Sequence, residues 1–197
     1  MLPIKLKTSA QKEEVLKHFL SLELEDLRLR FGYLPNEYAI TKYINDSWER
    51  IGDRWFGIYD VEHDGLIATL HVAKLDEESC EFGFTVTKDQ RNKGIGDKLF
   101  KRGIIWAKAR AMKHVFMQCL TENKAMQKIA RNNQMHVVTL DYEEAEADLD
   151  VSYDPTAAIT EVLIDNIAVY DMLLINQQKF LFKMLGKRYE RESSQTY

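Results

Sequence analysis

A β-type run that leads into a glycine turn and then an amphipathic helix is the feature that most constrains the fold of this chain. The segment is VTKDQRNKGIGDKL, residues 86–99, with glycines at Gly94 and Gly96. N–H groups at a helix N-terminus have no helical partner and carry partial positive charge, so a turn that exposes them binds phosphates. Glycine lets the backbone approach such a ligand closely. The segment therefore predicts a phosphate-binding turn.

The spacing of this turn differs from that of the two common nucleotide loops. Its pattern, Arg-x-x-Gly-x-Gly from Arg91, lacks the Gly-Lys-Ser/Thr ending of a P-loop and the first glycine of a dinucleotide fingerprint. A plain strand-to-helix turn, with Arg91 and Lys93 as solvated charges, is the alternative. If the turn does bind a ligand, the pattern indicates a pyrophosphate of another kind.

The same residues resemble the central motif of the GNAT N-acetyltransferases, Gln/Arg-x-x-Gly-x-Gly/Ala between a strand and a helix. The match is QRNKGIG, residues 90–96, and the likeness extends over roughly residues 4–150. It implies acetyl-CoA as co-substrate and no metal, with the pyrophosphate on the turn and the pantetheine arm beside the strand of Val86. The cofactor-binding residues that it implies are Phe84, Thr85, Val86, Arg91, Asn92, Lys93, Gly94, Ile95, Gly96, Asp97 and Asn123.

The resemblance also implies which residues are candidates for the catalytic base and acid. Glu81 is the candidate base, because family members often use an acidic residue on this strand, although a strand glutamate can equally face solvent. The tyrosine that serves as general acid in the family falls on Ala130, which cannot donate a proton. The thiolate must then leave unassisted, use water, or take its proton from a residue such as Tyr142 or Tyr153. The alternative is a catalytically weak acyl-CoA sensor or interaction module.

Two sequence features bear on the acceptor, which the resemblance implies is a small-molecule or protein amine. Residues 142–151 alternate, so that four carboxylates share one strand face: Glu144, Glu146, Asp148 and Asp150. They would attract a cationic amine if they faced the cleft, or they would keep an edge strand soluble. Arg28, Arg30 and Phe31 lie where the family has its acceptor loop. They would bind an acidic part of a substrate or the cofactor's adenosine phosphate, or pack on the surface.

The expected fold is α/β (α+β), a GNAT-like mixed and mostly antiparallel sheet flanked by helices, with an additional long C-terminal helix. Three parts are predicted: an acyl-CoA-binding domain over residues 1–153, a helical extension over 154–187 and a polar tail over 188–197. The long helix, from Pro155 to Leu185, is too apolar to have one face in water, so it needs a partner surface. A homodimer is one such arrangement. Residues 28–32 are expected to be irregular, and Gly103 to weaken the helix after the glycine turn.

Composition limits the remaining function classes. The net charge of −4 does not favour nucleic-acid binding. The two cysteines lack paired spacing and the five histidines lack metal-ligand spacing. With no apolar run of membrane length and no leader-like start, we expect a cytoplasmic protein that needs neither a metal nor a membrane.

Overall fold

One mixed sheet with helices on both faces organises the part of the chain that the computed structural model describes, residues 1–60, 65–140, 142–170, 173–174 and 177. The strands are β1 (Ile4–Leu6), β2 (Arg54–Asp60), β3 (Gly65–Lys74), β4 (Ser79–Val86), β5 (His114–Leu120), β6 (His136–Thr139) and β7 (Glu144–Asp150). The helices are α1 (Ser9–Leu20), α2 (Leu24–Phe31), α3 (Glu37–Glu49), α4 (Ile95–Lys108), α5 (Lys124–Asn132) and α6, residues 155–170. A 3-10 turn, Lys88–Gln90, precedes α4.

The strand order is β1-β2-β3-β4-β5-β7-β6. Among the strands of the described residues, only β4 and β5 are parallel neighbours, and α4 makes the crossover that a parallel pair requires. The predicted fold class is therefore confirmed. The expectation that the acidic strand is an edge strand is wrong, because β7 lies between β5 and β6 and pairs with both.

The parallel pair β4–β5 is short. Its register joins Ser79 to His114, Cys80 to Val115 and Glu81 to Phe116. Beyond Glu81 each strand continues, β4 to Val86 and β5 to Leu120, without further pairing between them. The two strands thus separate and leave a wedge whose backbone polar groups are available to other partners.

The helices cover opposite faces of the sheet. One core contains Phe82 and Phe100 under α4, and the other contains Phe19 and Trp55 under α1 and α3. A Cβ on Gly103 would lie 2.6 Å from the ring of Phe82, so glycine lets α4 lie directly on β4. The glycine that weakens this helix in isolation thus has a packing role.

The expectation of an irregular stretch at residues 28–32 is wrong over most of its length, because α2 extends to Phe31. Arg28 pairs with Glu25 one turn earlier, and Leu27 is buried beneath the helix. Gly32 then ends the helix in the left-handed conformation, with φ of 78°. Eight residues are too few for a clear periodic signal, which is why the sequence did not reveal this helix.

The start of α6 agrees with the predicted start of the long helix at Pro155, and Asp154 caps it by accepting a hydrogen bond from the Thr156 N–H at 2.9 Å. The rest of the predicted C-terminal helix, towards Leu185, lies mostly outside the described residues, and the predicted tail lies entirely outside them. Within the described ranges, no helix combines the length and the apolar character needed to cross a membrane.

Candidate functional site

A cavity of about 530 Å³ lies in the wedge between β4 and β5. Residues 83–86 of β4 line one side, and Gln118, Asn123 and α5 line the other. The glycine turn and the first residues of α4 close one end, and α2 lies over the opening. Except for Lys93, every predicted cofactor-binding residue lines this cavity.

The glycine turn presents backbone donors to the cavity. Gly94 is the N-cap of α4 in a left-handed conformation, with φ of 73°, and no side chain caps the helix. The Lys98 N–H makes the first helical bond, to the Gly94 carbonyl at 3.1 Å, so the N–H groups of Ile95, Gly96 and Asp97 have no acceptor within the helix. An anion in the cavity would meet these donors and the positive end of the helix.

The two glycines of the motif serve different purposes. A Cβ on Gly94 would have nothing within 4 Å, so glycine is needed there for its left-handed backbone. A Cβ on Gly96 would lie 2.5 Å from Cδ1 of Ile129, so glycine brings α4 close to α5. Gly94 thus has a role in the turn and Gly96 a role in packing, beside the close approach to a ligand that is predicted for both.

The polar side chains of the turn are held within the protein. Arg91 pairs with Asp26 at 2.5 Å, and Asp26 is largely buried. Lys93 donates to Gln90 Oε1 at 3.1 Å. Arg91 thus lies at the cavity beside a carboxylate, while Lys93 points to its own loop.

Helix α2 is attached to both sides of the wedge. On the side of the glycine turn, Glu23 pairs with Lys88 at 2.9 Å, in addition to the Asp26 contact. On the side of β5, Arg28 pairs with Glu122 at 2.6 Å. Asn123 caps α5 and donates to the Leu29 carbonyl at 3.3 Å. Exposed ion pairs contribute little individually, but together these contacts place α2 across the opening.

A buried histidine fixes the inner side of β4. The Nδ1 of His18 donates to the Leu66 carbonyl at 3.0 Å, so its Nε2 accepts from the Thr85 hydroxyl at 2.8 Å. Thr69 lies 2.6 Å from the same hydroxyl. Burial lowers the pKa of His18 to about 4, in keeping with this neutral form. The sequence did not indicate this network, because its members are distant along the chain.

A second buried chain of hydrogen bonds ends at the cavity. Arg30 donates from Nη2 to the Tyr43 hydroxyl at 2.7 Å, and that hydroxyl lies 2.8 Å from His71 Nδ1. The other nitrogen of His71 lies 3.0 Å from Asp53 Oδ2. Burial lowers the pKa of His71, which favours a neutral ring that accepts from Tyr43 and donates to Asp53.

The candidate catalytic residues lie in different places. Glu81 occupies the last paired position before the wedge; burial raises its carboxyl pKa, Arg30 opposes that rise and Glu146 adds to it. Tyr142 does not line the cavity, and its side chain is fully exposed. Ala130 is buried in the core under α5. Glu81 does not line the cavity either, but it alone of these candidates lies beside the point where the strands separate.

The acidic face of β7 reaches the site at one residue. Glu146 accepts from Gln118, a cavity residue, at 3.3 Å. Asp148 and Asp150 instead lie beside His136 and His114 on the neighbouring strands. Among the described residues, no three His, Cys, Asp or Glu side chains are grouped so as to hold a metal ion.

The buried His18 predicts a loss of stability in mild acid. Histidine in the unfolded chain titrates near 6.5, so the stabilising effect of neutral His18 is complete above that pH and lost as the pH falls to about 4. We expect the free energy of unfolding, measured by urea denaturation, to fall as the pH is lowered from 7.5 to 5. The fall should be about 2 kcal/mol larger in the native protein than in His18→Asn. His136→Asn, at an exposed site, should keep the full acid loss. Equal pH slopes for the native protein and His18→Asn would contradict this account.

Comparison with known proteins places these features in a family. The family described as the acetyltransferase (GNAT) domain matches residues 11–136. A comparison with curated proteins finds no match.

Solved structures share the fold. The GNAT domain of PAT from S. lividans superposes with a TM-score of 0.64 at 16% identity, covering 76% of this chain and 88% of that one. A spermidine N-acetyltransferase from Vibrio cholerae, in complex with CoA and spermine, has a TM-score of 0.61 at 12% identity, covering 77% of this chain and 96% of that one. A ribosomal-protein-alanine N-acetyltransferase from Brucella melitensis has a TM-score of 0.60 at 12% identity, covering 77% of this chain and 100% of that one. Because the family match covers more than half of the sequence, this chain belongs to the GNAT acetyltransferase family.

Proposed function

We propose that the protein transfers an acetyl group from acetyl-CoA to a primary amine by direct attack. The observation that carries this proposal is that one cavity contains both the wedge between β4 and β5 and the unpaired N–H groups at the start of α4. The first can take an extended amide-bearing chain and the second a pyrophosphate, which are the two ends of a CoA ester.

Each part of the cavity would hold a different part of the donor. The turn from Arg91 to Asp97, including Asn92, would bind the pyrophosphate through its backbone. The β4 residues Phe84, Thr85 and Val86 would pair with the pantetheine amides, and Asn123 would contact the arm from the opposite side. Lys93 would contribute charge from outside the cavity. No metal is needed for this chemistry.

Glu81 is the proposed base. The raised pKa of its carboxyl makes the ionised carboxylate a stronger base, which favours its accepting a proton from an ammonium group. Because Tyr142 is fully exposed outside the cavity and the methyl group of Ala130 has no proton to donate, we propose that water protonates the departing thiolate. Glu146 beside the cavity favours an amine that arrives as a cation. The two free cysteines fit a reducing, cytoplasmic location.

Glu81→Gln tests this assignment. We expect kcat/KM to fall by about 10²–10⁴-fold, because the base is lost while the shape is kept. The native protein should lose activity as the pH falls through the raised pKa of Glu81, since protonation removes the base, and the variant should lack this acid limb. Thiol release from acetyl-CoA with a panel of amines, measured over a range of pH, gives both kcat/KM and its pH dependence. Glu77→Gln, in the exposed turn before β4, is the control and should retain full activity. An unchanged acid limb in Glu81→Gln would refute the role.

The alternative function is an acyl-CoA-binding sensor. Two observations favour it: Ala130 occupies the position of the family's proton donor, and α6 presents apolar side chains to solvent. Saturable binding of acetyl-CoA without turnover of any amine would select this alternative.

We also propose a homodimer through α6. The helix contacts its own domain by Glu161 and Asp165, which pair with Arg102, while the side chains of Leu163 and Ile167 are more than half exposed. An apolar face of this kind favours a protein partner. Light scattering should give the dimer mass for the native protein and the monomer mass for Ile167→Glu. A monomeric native protein at micromolar concentration would exclude this dimer.

A further inference from the structure

Arg30 places a guanidinium group on the wall of the cavity. Its Nη2 lies only 2.0 Å from where a Cβ on Gly83 would be, so the group rests directly on the backbone of β4. Gly83 and Arg30 both line the cavity. Gly83 is the second residue after Glu81, just beyond the last pairing with β5. Arg30 is therefore at the point where the proposed transfer would occur.

The guanidinium keeps hydrogen-bonding capacity that the protein does not use. Arginine has five N–H donors, and here Nη2 bonds to Tyr43 while Nε is buried without a partner. Among the described carboxylates, none forms an ion pair with Arg30, whereas Arg28 pairs with two and Arg91 with one. Arg30 is half-buried, and a partly desolvated cation without an anion is costly, so the arrangement favours an incoming negative charge.

The side chain is also held in one orientation. The Tyr43–His71–Asp53 chain supports it from behind, and the carboxylate of Asp53 is fully buried. His71 stacks on Trp55 with ring centroids 4.5 Å apart, and the guanidinium lies over the Tyr43 ring at 5.6 Å. A group fixed before binding loses little entropy when its ligand arrives, which is a property of a recognition site.

Glu81 provides the complementary charge. Because residues two apart on a strand share a face, Glu81 and the Gly83 position that Arg30 covers are separated by about 6.5 Å along the strand. The two opposite charges influence each other without forming an ion pair. Two opposite charges on one face of β4 suit a ligand that is positive towards Glu81 and negative towards Arg30.

We infer that the acceptor carries a carboxylate close to its amine, as an α-amino acid does, and that Arg30 binds this carboxylate while Glu81 faces the amine. The inference rests on the proposed function and narrows its substrate class. A polyamine would bring a second positive charge against Arg30, which is unfavourable. Arginine is suited to the role because its planar fork matches the two carboxylate oxygens.

The experiment compares acceptors that differ only in the carboxylate. Thiol release from acetyl-CoA is measured with a panel of free amino acids, with their carboxamides and with spermidine. In the native protein we expect kcat/KM to be about 10–100-fold higher for the best amino acid than for its carboxamide. Arg30→Met should abolish this preference and leave the KM for acetyl-CoA unchanged. Arg30→Lys should retain part of it, because the charge remains without the fork.

Lys42→Met is the control. It removes an exposed cation on α3 that neither lines the cavity nor belongs to the contacts that hold α2, so the preference for the amino acid should persist. Circular dichroism spectra that match the native protein show that the variants fold.

The outcomes separate this inference from the proposed function. If acetyl-CoA binds but carboxamides or spermidine are acetylated as well as amino acids, or if no amino acid is acetylated, the inference is wrong while the cofactor assignment stands. If Arg30→Met instead weakens succinyl-CoA binding and leaves acceptor preference intact, the carboxylate belongs to the acyl group and the acceptor assignment is wrong. If acetyl-CoA does not bind, the proposed function itself fails.

Discussion

The early separation of β4 from β5 is the constraint on which the rest of the site depends. Two parallel strands that stop pairing after Glu81 leave backbone N–H and C=O groups without the neighbours that a sheet normally supplies. Such groups are costly when they are buried without partners, so the opening persists only if other elements support its sides. Those elements are the ones that build the cavity.

Support for the wedge comes from three directions. The start of α4 closes one end with unpaired donors, and α2 bridges the two sides through its ion pairs with Lys88 and Glu122. Two buried histidines support the β4 side of the wedge. His18 hydrogen-bonds to Thr85 of β4, and His71 hydrogen-bonds to Tyr43, which in turn bonds to Arg30. Burial disfavours the charged form of both rings, so each acts as a neutral link between a donor and an acceptor. The polar networks thus fix the cavity wall that a ligand would meet.

The sequence predicted the parts of this arrangement that are local. The glycine turn, β4 before it and α4 after it are contiguous, and their chemistry is visible in fourteen residues. Asn123 was predicted only as a contact of the cofactor; the structure also makes it the N-cap of α5, a local role that an asparagine ahead of an amphipathic stretch commonly has.

The remaining features depend on contacts between distant residues. His18 and Thr85 are 67 residues apart, and Arg30 reaches Gly83 only after α2 has folded over β4. The central position of β7 follows from pairing with two strands at once, which alternation within one strand does not encode. Tertiary packing, rather than local preference, decides each of these features.

A calorimetric titration with acetyl-CoA tests the central claim, that the wedge and the glycine turn together form the donor site. The native protein is compared with Gly94→Trp, which fills the turn, and with Gly32→Trp as the control. Both glycines have left-handed φ angles and open space around the Cβ position, but only Gly94 lines the cavity. The account predicts saturable binding to the native protein and to Gly32→Trp, and no binding to Gly94→Trp. Absence of binding to the native protein, or undiminished binding to Gly94→Trp, would contradict it.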